Sequence, residues 1–154
     1  MDGDVKLTQT FAILQYIARK YDLHGKTEKE LIDISLIEEM VRDLAWGYAR
    51  IAYHEDCEKL KPDYLKTLPV QLKQVAEFMK DREYAAGDRV TYVDFWVYEV
   101  LLKFHVLMPD LTNVHPEFKA YIDRIEALPE ISAYNAKQEP KLFNGPIAKW
   151  NATH

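Results

Sequence analysis

Val90-Thr91-Tyr92-Val93-Asp94-Phe95 opens an apolar run that continues, as WVYEVLLKFHVL, to Leu107. Thr91 and Asp94 stand three apart, the spacing at which a hydroxyl and a carboxylate satisfy the orphan amides of a helix start, and Val90 is placed to staple against Phe95. A helix is therefore predicted from Thr91 onward. Its apolar content approaches that of a membrane span, but the run is short and carries Asp94, Glu99, Lys103 and His105. A helix apolar on nearly every side must be wrapped by other elements. The expectation is a buried central helix.

The segments that could wrap it read as helices too. Upstream, Gly87-Asp88 marks a turn, and before it Leu65, Leu68, Leu72, Val75 and Met79 recur at helical spacing, with Pro69 as an internal kink. The polar break His54-Glu55-Asp56 separates this helix from a longer one. There Ile34, Ile37, Val41, Leu44, Tyr48 and Ile51 form one apolar stripe, while Glu38, Glu39, Arg42 and Asp43 keep the other side polar. Thr27-Glu28-Lys29-Glu30 reads as its capping box, and it is expected to reach about Tyr53. An earlier helix starts near Thr10, carries Ile13, Tyr16 and Ile17 on one face, and stops by Gly25. Downstream, Phe118, Tyr121, Ile122, Ile125 and Leu128 outline a fifth helix ended by Pro129. Ile131 and Tyr134 suggest a short sixth, before a tail with Phe143, Pro146 and Trp150.

The first residues break the pattern. Asp2-Gly3 is a hairpin-turn signal and Val5-Lys6-Leu7-Thr8 alternates like a strand, yet only Met1 precedes the turn. An isolated strand leaves its amides and carbonyls unpaired, so the natural protein is expected to begin further upstream. Loss of the rest of such a sheet would leave the first helix with uncovered apolar surface.

Composition narrows the function. The net charge of -5 comes from interleaved acids and bases, so no basic stripe exists to neutralise nucleic-acid phosphates. Cys57 is the only cysteine, which leaves no internal disulfide and no multi-cysteine metal site and fits a reducing compartment, the cytoplasm being the expected location. There is no cationic stretch followed by an apolar run at the start, as a secretory signal would need.

Taken alone, the motifs carry little chemistry. No glycine-rich phosphate loop, no His-Glu-x-x-His and no nucleophile elbow is present, and the five histidines share no face. Cys57 lies beside Asp56 and Glu58, a setting that raises a thiol pKa and disfavours the thiolate. One junction stands out. At Leu7-Thr8-Gln9-Thr10 a strand-like segment runs into a helix start and offers an amide, a hydroxyl and free backbone N–H groups together, suited to a carboxylate. Its plain alternative is an N-cap.

Asp2-Gly3-Asp4-Val5-Lys6-Leu7-Thr8-Gln9-Thr10 with Ala12-Ile13 and Tyr16-Ile17-Ala18-Arg19-Lys20 resembles the end of the thioredoxin-like domain of mu-class glutathione transferases. The resemblance continues through Glu58-Lys59-Leu60-Lys61-Pro62, Ala86-Gly87-Asp88, Val90 to Phe95, Arg124 to Leu128, Ile131 to Tyr134 and Ala148-Lys149-Trp150. It implies a mainly α fold: the helical C-terminal bundle of a glutathione transferase, residues 26–154, preceded in residues 1–25 by the last strand and helix of the glutathione-binding domain.

The resemblance also implies a site. Gln9 and Thr10 correspond to the pair that binds the γ-glutamyl end of glutathione, threonine standing for the usual serine and keeping the hydroxyl. Asp43 corresponds to an aspartate that reaches glutathione across a homodimer interface. Tyr53 matches a tyrosine whose hydroxyl enters the electrophile pocket, where a phenol can donate to developing negative charge. Arg42, Trp46, Ala49 and Asn144 stand at the pocket-facing positions, while Thr91 and Asp94 form the family's structural cap. The implied reaction joins the thiol of glutathione, a co-substrate, to small hydrophobic electrophiles in detoxification. No cofactor, metal, membrane or nucleic acid is implied. The tyrosine that activates the sulfur belongs to a segment absent here, so no catalytic residue is assigned and this chain alone is expected to have little activity. The alternative is a non-catalytic module serving assembly, structure or ligand carriage.

Overall fold

The computed structural model describes residues 2–110, 114–138 and 144–150. Met1 and Phe143, both noted above, lie outside them. Among the described residues six helices follow one another: α1 (Thr10–Lys20), α2 (Glu28–Ala52), α3 (Cys57–Met79), α4 (Tyr92–Leu107), α5 (Pro116–Glu126) and α6 (Pro129–Asn135). The fold is mainly α. Helix α4 is its axis and packs against α1, α2 and α5, while α2 also pairs with α3 and α5 with α6. None of the described helices is long and apolar enough to cross a membrane.

The core follows the helical periods. All six stripe residues of α2, from Ile34 to Ile51, are buried, and each adds about 2 kcal/mol of transfer free energy. They meet Leu68, Leu72 and Val75 of α3 and Val93, Val97, Leu101 and Phe104 of α4 in one cluster, with Phe118, Ile122 and Ile125 of α5 joining from the far side. Leu65 departs from its expected place at 39% exposure, because the buried face of α3 runs through Tyr64, Leu68 and Leu72. Helix α3 runs unbroken through Pro62 and Pro69, whose rings both lie on its exposed side, where solvent can take up a freed carbonyl.

The helix starts are built as the sequence indicates, with one shift. Thr27 accepts the Glu30 N–H at 3.2 Å, but the Glu30 carboxylate reaches past Thr27 to the Lys26 N–H at 2.7 Å. At α4 one oxygen of Asp94 takes the Thr91 N–H at 2.8 Å and the Thr91 hydroxyl at 3.0 Å. Its other oxygen takes the Ala85 N–H at 2.7 Å and the Tyr121 hydroxyl at 2.9 Å. Asp94 is wholly buried, so this one carboxylate ties the turn before α4, the start of α4 and the middle of α5 together.

Three boundaries differ from expectation. Instead of a strand at 5–8, Asp2 and Val5 form an isolated bridge around Gly3, since among the described residues no partner strand lies beside it. Helix α1 ends at Lys20 rather than near Gly25, because Asp22 turns the chain with a φ of 57°. Pro129 does not end the fifth helix. Helix α5 stops at Glu126 and Pro129 opens α6 at its first turn, where a missing N–H costs nothing.

The termini matter most for the site. On α1 only Ala18 is buried, while Ile13, Ile17 and Tyr21 are exposed at 38%, 42% and 65% beside Val5 and Leu7. The uncovered face expected of this helix is present. At the other end, residues 144–150 pack on the last turn of α2. The Lys149 and Trp150 N–H groups both donate to the Ala52 carbonyl, and the Trp150 ring sits 5.1 Å from Tyr48 and 5.9 Å from Tyr64.

Candidate functional site

The start of α1 is unusual backbone. Gln9 has φ 72° and ψ 122°, a combination that costs a non-glycine residue conformational energy and persists only where the surroundings enforce it. Neither the Gln9 nor the Thr10 side chain is used by the fold: both residues are exposed, and no side chain caps the helix. The first amides of α1 therefore remain open to an acceptor, next to an amide and a hydroxyl side chain.

A second feature lies on the exposed face of α2. Asp43, Trp46, Gly47, Ala49, Arg50 and Tyr53, together with Gln71 of α3, line a groove of about 690 Å³. The first, second, third and fifth of these fall at steps of three and four, so helical geometry alone stacks them on one side. Trp46 is 67% exposed and presents its ring to this groove. Tyr53 is fixed by the tail: its hydroxyl accepts the Gly145 N–H at 2.9 Å. The phenolic proton is then directed to a further acceptor, as a donor to a ligand would need.

The structure thus brings together four of the residues singled out in sequence, Asp43, Trp46, Ala49 and Tyr53. It adds Gly47, Arg50 and Gln71. Extending the Asp43–Trp46 spacing by a turn would have found Gly47 and Arg50; Gln71 comes from a neighbouring helix and has no local signal. Arg42 and Asn144 stand elsewhere. The Arg42 guanidinium pairs with Glu38 at 2.9 Å and Glu39 at 2.8 Å and covers the Phe11 ring at 4.1 Å, turned toward α1. Asn144 is buried and donates to the Tyr48 hydroxyl at 2.6 Å and the Trp150 carbonyl at 3.0 Å, so it braces the tail that holds Tyr53. Thr91 and Asp94 are buried in the cap described above, away from both features.

The remaining candidates are structural. Cys57 is buried, and its thiol is pushed up first by that burial and then by Glu58. His24 stacks on Tyr92, His54 accepts the Asp56 N–H at 3.0 Å, and His115 meets Glu117 at 3.1 Å. No group of three or more His, Cys, Asp or Glu suited to a metal ion occurs among the described residues.

Known proteins resemble this chain in sequence and in fold. The glutathione S-transferase C-terminal domain family matches residues 42–138. A glutathione S-transferase of Tyrophagus putrescentiae is 49% identical over 154 residues, which span all of this chain and 71% of that protein. Glutathione S-transferase Mu 1 of Bos taurus is 44% identical over 147 residues, covering 96% of this chain and 66% of the relative. Among solved structures, the glutathione S-transferase Blo t 8 superposes with a TM-score of 0.84 at 30% identity, over 96% of this chain and 72% of that one. The chain belongs to the glutathione S-transferase family, and its likeness to the mu class, legible in the motifs, extends over nearly its whole length.

Proposed function

We propose that this chain is the larger part of a cytoplasmic, homodimeric enzyme that joins the thiol of reduced glutathione to small hydrophobic electrophiles. Residues 1–25 are the remnant of its glutathione-binding domain and residues 26–154 its helical domain. Gln9, Thr10 and the open amides of α1 hold the γ-glutamyl end of glutathione; Asp43 serves the glutathione of a second copy. Trp46, Ala49 and Tyr53 line the electrophile pocket, with the Tyr53 proton stabilising charge that develops on the substrate.

The observation that carries this reading is the strained Gln9. A disfavoured φ at an exposed helix start, with both side chains idle, indicates a conformation kept for a ligand rather than for the fold. The groove on α2 supports it independently, by placing an aromatic ring, a carboxylate and an oriented phenol in one concavity.

The test is turnover of glutathione with a chloronitrobenzene, run on this chain and on a version extended at its start by the matching segment of a relative. Activity confined to the extended protein is the expected result, because the sulfur-activating tyrosine lies in that segment. If both proteins fold and bind no glutathione, the enzyme reading falls and a non-catalytic assembly or carrier module replaces it.

A further inference from the structure

Arg42 sits at the crossing of α1, α2 and α4. Its guanidinium is half-buried, bonded to Glu38 and Glu39 on its own helix, and set over the Phe11 ring, 4.1 Å from its centroid. Phe11 in turn meets the Trp96 ring edge-on at 5.2 Å. Glu38 is only 5% exposed and is held from the other side by the Tyr92 hydroxyl at 2.6 Å.

One chain of contacts reaches α1 from the buried Glu38: it runs through Arg42 to Phe11, the residue after Thr10. With its outer face bare and Ala18 its one buried residue, α1 has few other attachments near its start. A planar cation between a buried carboxylate and an aromatic face is also demanding: lysine offers one compact charge and cannot both pair and stack.

We infer that Arg42 is a positioning residue, which fixes the start of α1 against α2 by clamping Phe11 and so places Gln9 and Thr10 for their ligand. The role given to Gln9 and Thr10 rests on the glutathione reading above; the clamp itself does not. It assigns Arg42 a task at the junction between the first helix and the bundle, in place of one in the electrophile pocket.

Hydrogen exchange read by mass spectrometry on the full chain tests it. Without ligand, Arg42→Met is expected to speed exchange of the first hydrogen-bonded amides of α1, from Ile13 onward, about tenfold, the effect of losing a partly buried cation–π contact, while α4 amides near Leu101 stay unchanged. Phe11→Leu is expected to match it, and the double variant to add nothing further. Arg42→Lys keeps a charge beside Glu38 and so keeps the bundle folded, yet it should loosen α1 as Phe11→Leu does. Unchanged exchange of the α1 amides from Ile13 onward in Arg42→Lys, or effects of Phe11→Leu and Arg42→Met that simply add, would overturn the clamp. Millimolar glutathione should slow the Thr10 and Phe11 amides in the unaltered chain and lose that effect in Phe11→Leu. Absence of slowing in the unaltered chain sinks the glutathione reading, whereas the ligand-free comparison alone decides the clamp.

Discussion

Asp94 accepts two backbone and two hydroxyl hydrogen bonds from inside the protein. Asp94→Ala would strand several buried donors at once, a loss of about 3 kcal/mol or more in urea unfolding, well beyond the roughly 1 kcal/mol of an exposed cap. Its titration is also distinctive. Burial pushes the carboxyl up, and the hydrogen bonds from Ala85, Thr91 and Tyr121 that pull it down do not fully offset this. The folded chain therefore keeps its proton at a pH where the unfolded chain, at 3.8, has released it. This group's linkage stabilisation is full below that value and is lost as pH rises through the folded pKa. Asp94→Asn should flatten stability against pH across that window, as urea midpoints at several acid pH values would record. The Thr91–Asp94 spacing announced the cap, but nothing local could announce Tyr121, which joins through the packing of α5. Arg42 illustrates the same limit: its number places it beside Asp43, yet 100° of helical rotation per residue turns the two toward different neighbours.

Among the elements, α1 and α2 contrast most. The stripe of α2 was legible because it is buried along its whole length, and its period of 3.6 is enforced by neighbours on one side. The pattern of α1 was equally clear, but its apolar face stays open to solvent, with Ile13 and Ile17 both exposed. Replacing Ile13 and Ile17 by lysine should change unfolding stability by no more than about 0.5 kcal/mol per site, as for other exposed positions. The same change should reduce self-association in light scattering, since a contiguous apolar patch is removed. A large loss of stability would mean that this face is covered after all. Periodicity finds the apolar face of a helix but not what lies across it. The site on α2 was legible only as far as one helix supplies it, which is why Gln71 of α3 escaped.

For the molecule as a whole, the least legible feature was the tail, since 144–150 has no periodic pattern and takes its shape from partners far back in the chain. Trp150→Ala should cost about 3 kcal/mol by emptying the space between Tyr48 and Tyr64. It should also free Gly145 from the Tyr53 hydroxyl, so fluorescence quenching of Trp46 in the neighbouring groove should change with it. The two N–H groups that close the last turn of α2 belong to Lys149 and Trp150, made long after the helix itself. A chain growing from the ribosome forms its earlier parts first. Here α2 can coil early, but its end stays unfinished until the segment 144–150 has been made. A message cut short before that segment would then release a bundle whose longest helix has an open end, and the cell's proteases would meet a protein that never closed.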